Sequence, residues 1–150
     1  MDIERVQLEP RTVAGVRETV AMNALTDFFG RAYETTSTAL AQQGAFPTGA
    51  PIAIYHGTPT TTADITAGFP VGQPVTPDGA IVTETLPGGP AAQTMHIGSY
   101  DDLATTYSAL VTWFADQSLT AGTEMWEEYL VGPDSEPDPS HWQTRIVWLL

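Results

Sequence analysis

Glu127 and Tyr129 stand two residues apart in the stretch EMWEEYLVGP, and a further tyrosine, Tyr55, lies in IAIYHG. A carboxylate among phenols can serve two kinds of chemistry. Desolvated in an apolar cleft, it either holds its proton more tightly or pairs with an incoming cation, and aromatic faces add cation–π attraction of roughly 0.5–2 kcal/mol each. With a water in hydrogen-bond reach, the same group is a general base. Side chains at i and i+2 of a strand share a face. Met125, Glu127, Tyr129 and Val131 therefore line up together, and Trp126, Glu128 and Leu130 take the opposite side. An edge strand would leave Glu127 in water, whereas a cleft would make it an anchor.

The other aromatic candidates are Tyr33 and Tyr107, which sit at matching places on two helical patterns, and Trp113, beside the second of these. A tyrosine on an apolar helix face also has an ordinary place in a core, with its hydroxyl satisfied. Trp126 alternates away from Glu127 and reads as packing.

Other chemistries lack their parts. The chain has no cysteine, so disulfides, thiol nucleophiles and zinc–thiolate sites are excluded. All five cations are arginine, so a phosphate-binding loop with its lysine is excluded too, and no G-x-S-x-G elbow occurs. His56, His96 and His141 have no metal-ligand spacing, and no metal or cofactor is expected. His96, just before a helix, reads as structural. Asp101 and Asp102 suit a helix start, and LPGGP reads as a turn between strands.

The formal net charge is −13, from 18 acidic and 5 basic residues. Nucleic acid is not an expected partner, because a phosphate backbone needs a basic surface. The field of such a chain draws cations toward an acidic cleft, although acidity also serves solubility. With 42% hydrophobic residues over 150 positions, a single domain spanning 1–150 is expected. Neither a secretory leader nor a run approaching ~18 apolar residues is present. A cytoplasmic location without membrane contact is the expectation.

Ile3 to Leu8 alternates as a strand, Pro10 interrupts, and Thr12 to Val20 resumes with β-branched residues. Apolar residues then recur at three- and four-residue spacing over roughly 24–43, predicting a helix with Asn23 as N-cap and Gly44 as its stop. IAIYHG and Ala63 to Val71 follow as strands. The second half repeats the order. Ile81 to Leu86 and Ala91 to Ile97 read as strands, and Ser99 with Asp102 resembles a capping box. A helix bearing Leu103, Tyr107, Leu110 and Phe114 runs to about Gln117, then EMWEEYLVG and WQTRIVWLL close the set as strands. Sliding the chain by the 74 residues between Tyr33 and Tyr107 places Ala41 on Ala115, Gln43 on Gln117, Tyr55 on Tyr129 and Pro59 on Pro133. Two pseudo-repeats, about 1–74 and 75–150, are expected. At that shift Glu127 falls on Ala53. Both halves offer a tyrosine, and only the second offers a carboxylate.

The ordered series IAIYHG, DITAGFPV, MHIGSY, TTYSALVTWF, MWEEYLVGP and TRIVWLL resembles the GyrI-like small-molecule-binding domain family, over nearly the whole chain. That family includes the effector-binding domains of BmrR-type and some AraC-type multidrug-responsive regulators of bacteria. The resemblance implies an α+β fold: a duplicated strand-helix-strand-strand module in one antiparallel sheet, two main helices, and a central cleft lined by aromatic side chains and an acidic residue. By motif, the family's Glu-x-Tyr pair maps onto Glu127 and Tyr129, another stretch onto Tyr55, His56 and Gly57, and a third onto His96, Gly98 and Tyr100. Regulators of the family carry a helix-turn-helix domain before this one, so a stand-alone form is expected here. Capture of hydrophobic, cationic or aromatic small molecules, for sensing or sequestration, is the function this implies. Two alternatives follow from the same resemblance. One is hydrolysis of strained cyclopropane-bearing alkylating natural products, with Glu127 and Tyr129 as catalytic residues. The other is a gyrase inhibitor that acts through a protein partner.

Overall fold

The computed structural model describes residues 2–150. Eight strands and two helices follow in the order β1 (Ile3–Leu8), β2 (Arg11–Ala21), α1 (Leu25–Gln42), β3 (Ile52–His56), β4 (Thr62–Val71), β5 (Ile81–Leu86), β6 (Gly89–Ile97), α2 (Leu103–Asp116), β7 (Glu124–Val131) and β8 (Gln143–Leu149). The element types match the hydrophobic periodicities throughout, and the fold is the expected α+β sheet with two main helices. Helix starts differ in detail. Asn23 lies inside a 3-10 turn, Met22–Ala24, and does not cap α1, which begins without a side-chain cap. The Ser99 hydroxyl accepts from the Asp101 amide at 3.2 Å, capping the 3-10 turn Tyr100–Asp102, and α2 follows from there. Gly44 ends α1 with φ +68°, a conformation that costs glycine nothing.

All strands pair antiparallel in one sheet of order β1-β6-β8-β7-β3-β4-β2-β5. Read from either end the order is the same, with the two halves of the chain exchanged. Each half lends its first strand to the other: β1 pairs β6, and β5 pairs β2. At the centre, β3 meets β7 with Ala53 opposite Glu127, flanked by Ile52 opposite Glu128 and Ile54 opposite Trp126. Residues 53 and 127 differ by the same 74 positions as Tyr33 and Tyr107. The approximate two-fold axis of the sheet therefore runs between them.

Both helices cover one face. Phe28 and Ala32 of α1 pack on Val16, Val20, Ala53 and Ile65, while Leu110 and Phe114 of α2 pack on Ala92 and Ile146. The helix-free face buries Val13, Ile52, Ile54, Leu86, Ala91, Trp126 and Val147 in one cluster, with Val6 and Leu8 against it. Leu86 and Leu8 come from opposite edges of the sheet, so the sheet rolls around this face. The roll needs close backbone approach where β2 meets β4. Gly15 and Gly68 are partners there, and a Cβ on Gly68 would sit 1.9 Å from the Ala14 carbonyl oxygen. Among the described residues no helix is long and apolar enough to cross a membrane.

Candidate functional site

β7 lies between β3 and β8 at the middle of the sheet, so it is no edge strand, and Glu127 is only 4% exposed. Its cross-strand neighbours are Ala53 and Ile146. The alanine leaves room for the carboxylate beneath the helices. Both carboxylate oxygens are hydrogen-bonded by phenols. Tyr129 donates to Oε1 at 2.7 Å from the same strand, and Tyr107 donates to Oε2 from α2. Among the described residues no arginine or histidine lies within ion-pair distance of Glu127.

Electrostatics follow from that arrangement. Burial pushes the Glu127 carboxyl above its ordinary value, against the lowering effect of the Tyr107 and Tyr129 hydrogen bonds and of nearby His96. Burial first, and then the Glu127 charge, push Tyr33, Tyr55, Tyr100, Tyr107 and Tyr129 upward. These are all five tyrosines of the chain, and they remain donors at neutral pH. His96 is buried and held at both nitrogens, 2.8 Å from the Ser99 carbonyl and 2.7 Å from the Thr106 hydroxyl. Since a carbonyl can only accept, Nε2 carries the proton, and in the neutral ring Nδ1 accepts from Thr106. The ring is a structural strut, as its position before a helix implied.

Of the expected site residues, Tyr33, Tyr55, Tyr100, Tyr107 and Tyr129 gather around Glu127. Trp113 packs on Phe114 at 5.5 Å, in the cluster under α2 that also takes in Tyr107 and Trp148. Three aromatics absent from the expected set complete the walls. Phe29 stacks on Tyr33 at 5.9 Å and meets the Tyr129 ring edge at 6.1 Å. Phe69 lies 5.6 Å from Tyr33, and Trp148 lies 6.3 Å from Tyr107. Phe29 had a signal, sitting one helical turn before Tyr33 on the same face. The other two belong to strands whose place beside the helices depends on the sheet order. Phe29, Tyr33, Phe69, Tyr107, Tyr129 and Trp148 are each half-buried. The arrangement is a set of half-buried aromatic side chains around one buried carboxylate.

The helix-free face carries a different set of ionisable groups. Glu128, 6% exposed, is bound by Arg11 at 3.2 Å and Arg145 at 3.5 Å. Near the other end, a groove of about 460 Å³ is lined by Arg17, His56, Glu84 and Glu124 among others. Its charges are largely spent on one another. Arg17 forks onto Asp64 at 2.8 and 3.0 Å, and Glu84 is held by the Thr66 hydroxyl at 2.7 Å and by His56 at 3.3 Å. Burial raises the Glu84 carboxyl, but these partners outweigh it and bring it below its ordinary value. Among the described residues no three histidine or carboxylate side chains converge as a metal site.

The family model for the GyrI-like small molecule binding domain matches residues 1–150. The chain belongs to that family. No curated protein matches this GyrI-like domain in sequence. Among solved structures, the EcmrR C-terminal domain superimposes with a TM-score of 0.84 at 19% identity, over 99% of this chain and 96% of that one. EcmrR in its complex with DNA gives a TM-score of 0.88 at 19% identity, and the GyrI-like chain spans 56% of the length of that protein. SAV2435 bound to tetraphenylphosphonium gives 0.70 at 14% identity, covering 99% of this chain and 93% of that one. A hydrolase from Listeria innocua gives 0.65 at 14% identity, covering 98% and 90%. At these identities the likeness is one of fold. The GyrI-like domain is thus a small-molecule-binding domain by family, with the aromatic side chains around Glu127 as its candidate site.

Proposed function

We propose that this domain captures hydrophobic cations bearing aromatic surface in the cleft above Glu127, for sensing or for sequestration. One observation carries the reading: among the described residues, a carboxylate 4% exposed is met only by tyrosine hydroxyls and by no cationic side chain. A buried charge is ordinarily compensated by a partner, and a ligand cation supplies one. The surrounding rings then add cation–π attraction. The fold likeness to a protein bound to tetraphenylphosphonium supports this choice of ligand. The cleft selects by charge and aromaticity more than by detailed shape.

The test is calorimetric titration and thermal shift with tetraphenylphosphonium and with neutral triphenylphosphine oxide, on the native chain and on Glu127→Gln. A ligand that binds the native state raises its apparent stability by mass action. Stabilisation by the cation that the Gln variant loses, with the neutral compound unaffected, supports the reading. An identical response of both proteins to the cation removes Glu127 from the site.

A second reading has one observation in its favour. A carboxyl raised by burial and oriented by two phenols is suited to positioning or activating a water, and a hydrolase shares the fold. Product analysis with a cyclopropane-bearing alkylating compound separates the two. Turnover abolished in Glu127→Gln with binding retained would make the domain an enzyme.

A further inference from the structure

We infer that the ligand carries a single positive charge midway between two similar aromatic arms. The inference rests on the cation-binding reading and adds the ligand's symmetry to it. Its basis is the position of Glu127 relative to the approximate two-fold axis of the sheet.

Ala53 and Glu127 are cross-strand partners and also occupy equivalent positions of the two halves. Tyr33 of α1 corresponds to Tyr107 of α2, and Tyr55 to Tyr129, at the same offset of 74. Pairing extends the correspondence outward. Tyr55 is opposite Ile65 and Tyr129 is opposite Thr144, so Phe69 and Trp148, each four residues further along, are also equivalent. The rings pair accordingly. Tyr33 lies against Phe69 at 5.6 Å, and Tyr107 lies against Trp148 at 6.3 Å. Each half thus supplies one matching pair of rings, although Phe29 and Tyr100 have the non-aromatic equivalents Leu103 and Thr26, and Glu127 stands next to the axis that exchanges the two pairs. A cation over that carboxylate has a wall on either side. Two arms attached to the charged centre use both walls, whereas a charge at the end of an elongated ligand leaves one wall unused.

The two ring pairs correspond even where the charge does not. Tyr107 and Tyr129 hold the Glu127 carboxylate, and their equivalents Tyr33 and Tyr55 flank Ala53. Tyr33 instead donates to the Ile52 carbonyl at 3.1 Å. A carboxylate moved to position 53 would find the corresponding pair of phenols already in place.

Two measurements test this. Dibenzyldimethylammonium and para-phenylbenzyltrimethylammonium are isomers with the same charge and two rings each, one charged at the centre and the other at the end. Calorimetry on the native chain should find the central isomer bound roughly tenfold more tightly, about what one aromatic face contributes to a cation. The second measurement is the exchange Ala53→Glu with Glu127→Ala. It should bind the central isomer within about threefold of the native chain, while Glu127→Ala alone loses about tenfold or more. Circular dichroism and a cooperative melt establish that each variant is folded, and the isomer comparison needs no variant at all. Equal affinity for the two isomers alongside firm binding of tetraphenylphosphonium overturns the symmetry inference and leaves the cation reading standing. So does a folded exchange variant as weak as Glu127→Ala. No binding of either isomer or of tetraphenylphosphonium overturns the cation reading itself.

Discussion

Glu127 and Glu128 are neighbours on the central strand of the sheet, and both are buried, at 4% and 6% exposure, yet they face opposite sides and meet opposite chemistry. Glu128, on the helix-free side, has two guanidiniums, Arg11 and Arg145. Glu127, beneath the helices, has two phenols and, among the described residues, no cation. Two of the five cations in the chain are thus committed to one carboxylate while the adjacent one receives none. A charge that serves the fold brings its counter-charge with it. In the proposed reading Glu127 is kept for the charge of a ligand, and its hydrogen bonds orient the carboxyl without supplying a counter-charge.

This contrast can be broken experimentally, beginning with the larger effect. Glu128→Ala should cost about 2–3 kcal/mol of stability, somewhat below the figure for a fully buried pair because both arginines are about a third exposed. Urea unfolding midpoints measure it, and tetraphenylphosphonium affinity should stay within about twofold. Loss of the ligand without loss of stability would reverse the assigned roles. Glu127→Gln should lower tetraphenylphosphonium affinity by about tenfold, or ~1.4 kcal/mol, read by calorimetry, and should not destabilise the chain at neutral pH.

A pH series sharpens the difference. Because burial raises the Glu127 carboxyl in the folded chain, the folded state retains a proton that the unfolded state has released. The contribution of that protonated carboxyl is fully present below the ordinary glutamate value of 4.5 and is lost as pH rises through the raised folded value. Gln has no such titration. The stability of Glu127→Gln relative to the native chain should therefore climb as pH rises above 4.5, and a flat difference in denaturation would mean that Glu127 is charged in the unliganded fold. The groups around it, Tyr33, Tyr55, Tyr107 and Tyr129, are all raised and do not titrate in this range. The smallest effect belongs to Tyr129→Phe. Removing one donor should cost about 1 kcal/mol, with cation affinity within about threefold by calorimetry.

Much of the fold was readable because periodicity and breakers agreed. Pro10 separates β1 from β2, Gly44 stops α1, and Gly98 at φ +127° ends β6. The i, i+2 rule placed Glu127 with Tyr129 and against Trp126, and the structure keeps that division between the two faces. Helix caps were less readable: Asn23 has the right chemistry in the right place, but a 3-10 turn takes up the residues it would have capped. Trp113 was hard to place for a similar reason. A residue beside the core stripe of a helix can lean either way, and tertiary packing turned it toward Phe114. Phe69 and Trp148 could not be assigned from local pattern because their neighbours are set by pairings between strands far apart in sequence. The arginines on Glu128 were invisible for the same reason, Arg11 being 117 positions away.

The exchange of first strands between the halves has a consequence for how the chain comes together. Residues 3–8 are synthesised before the other strands of this sheet, yet among the described residues they pair with β6 alone, at 89–97. β6 in turn needs β8, at 143–149, on its other side. On the ribosome the earliest strand is therefore among the last to dock, and it must close a loop of some eighty residues against slowly growing entropy. A waiting strand risks pairing with the wrong chain. Glu4 and Arg5 are exposed charges on this edge, and Pro10 follows it, the devices by which sheet proteins discourage such encounters.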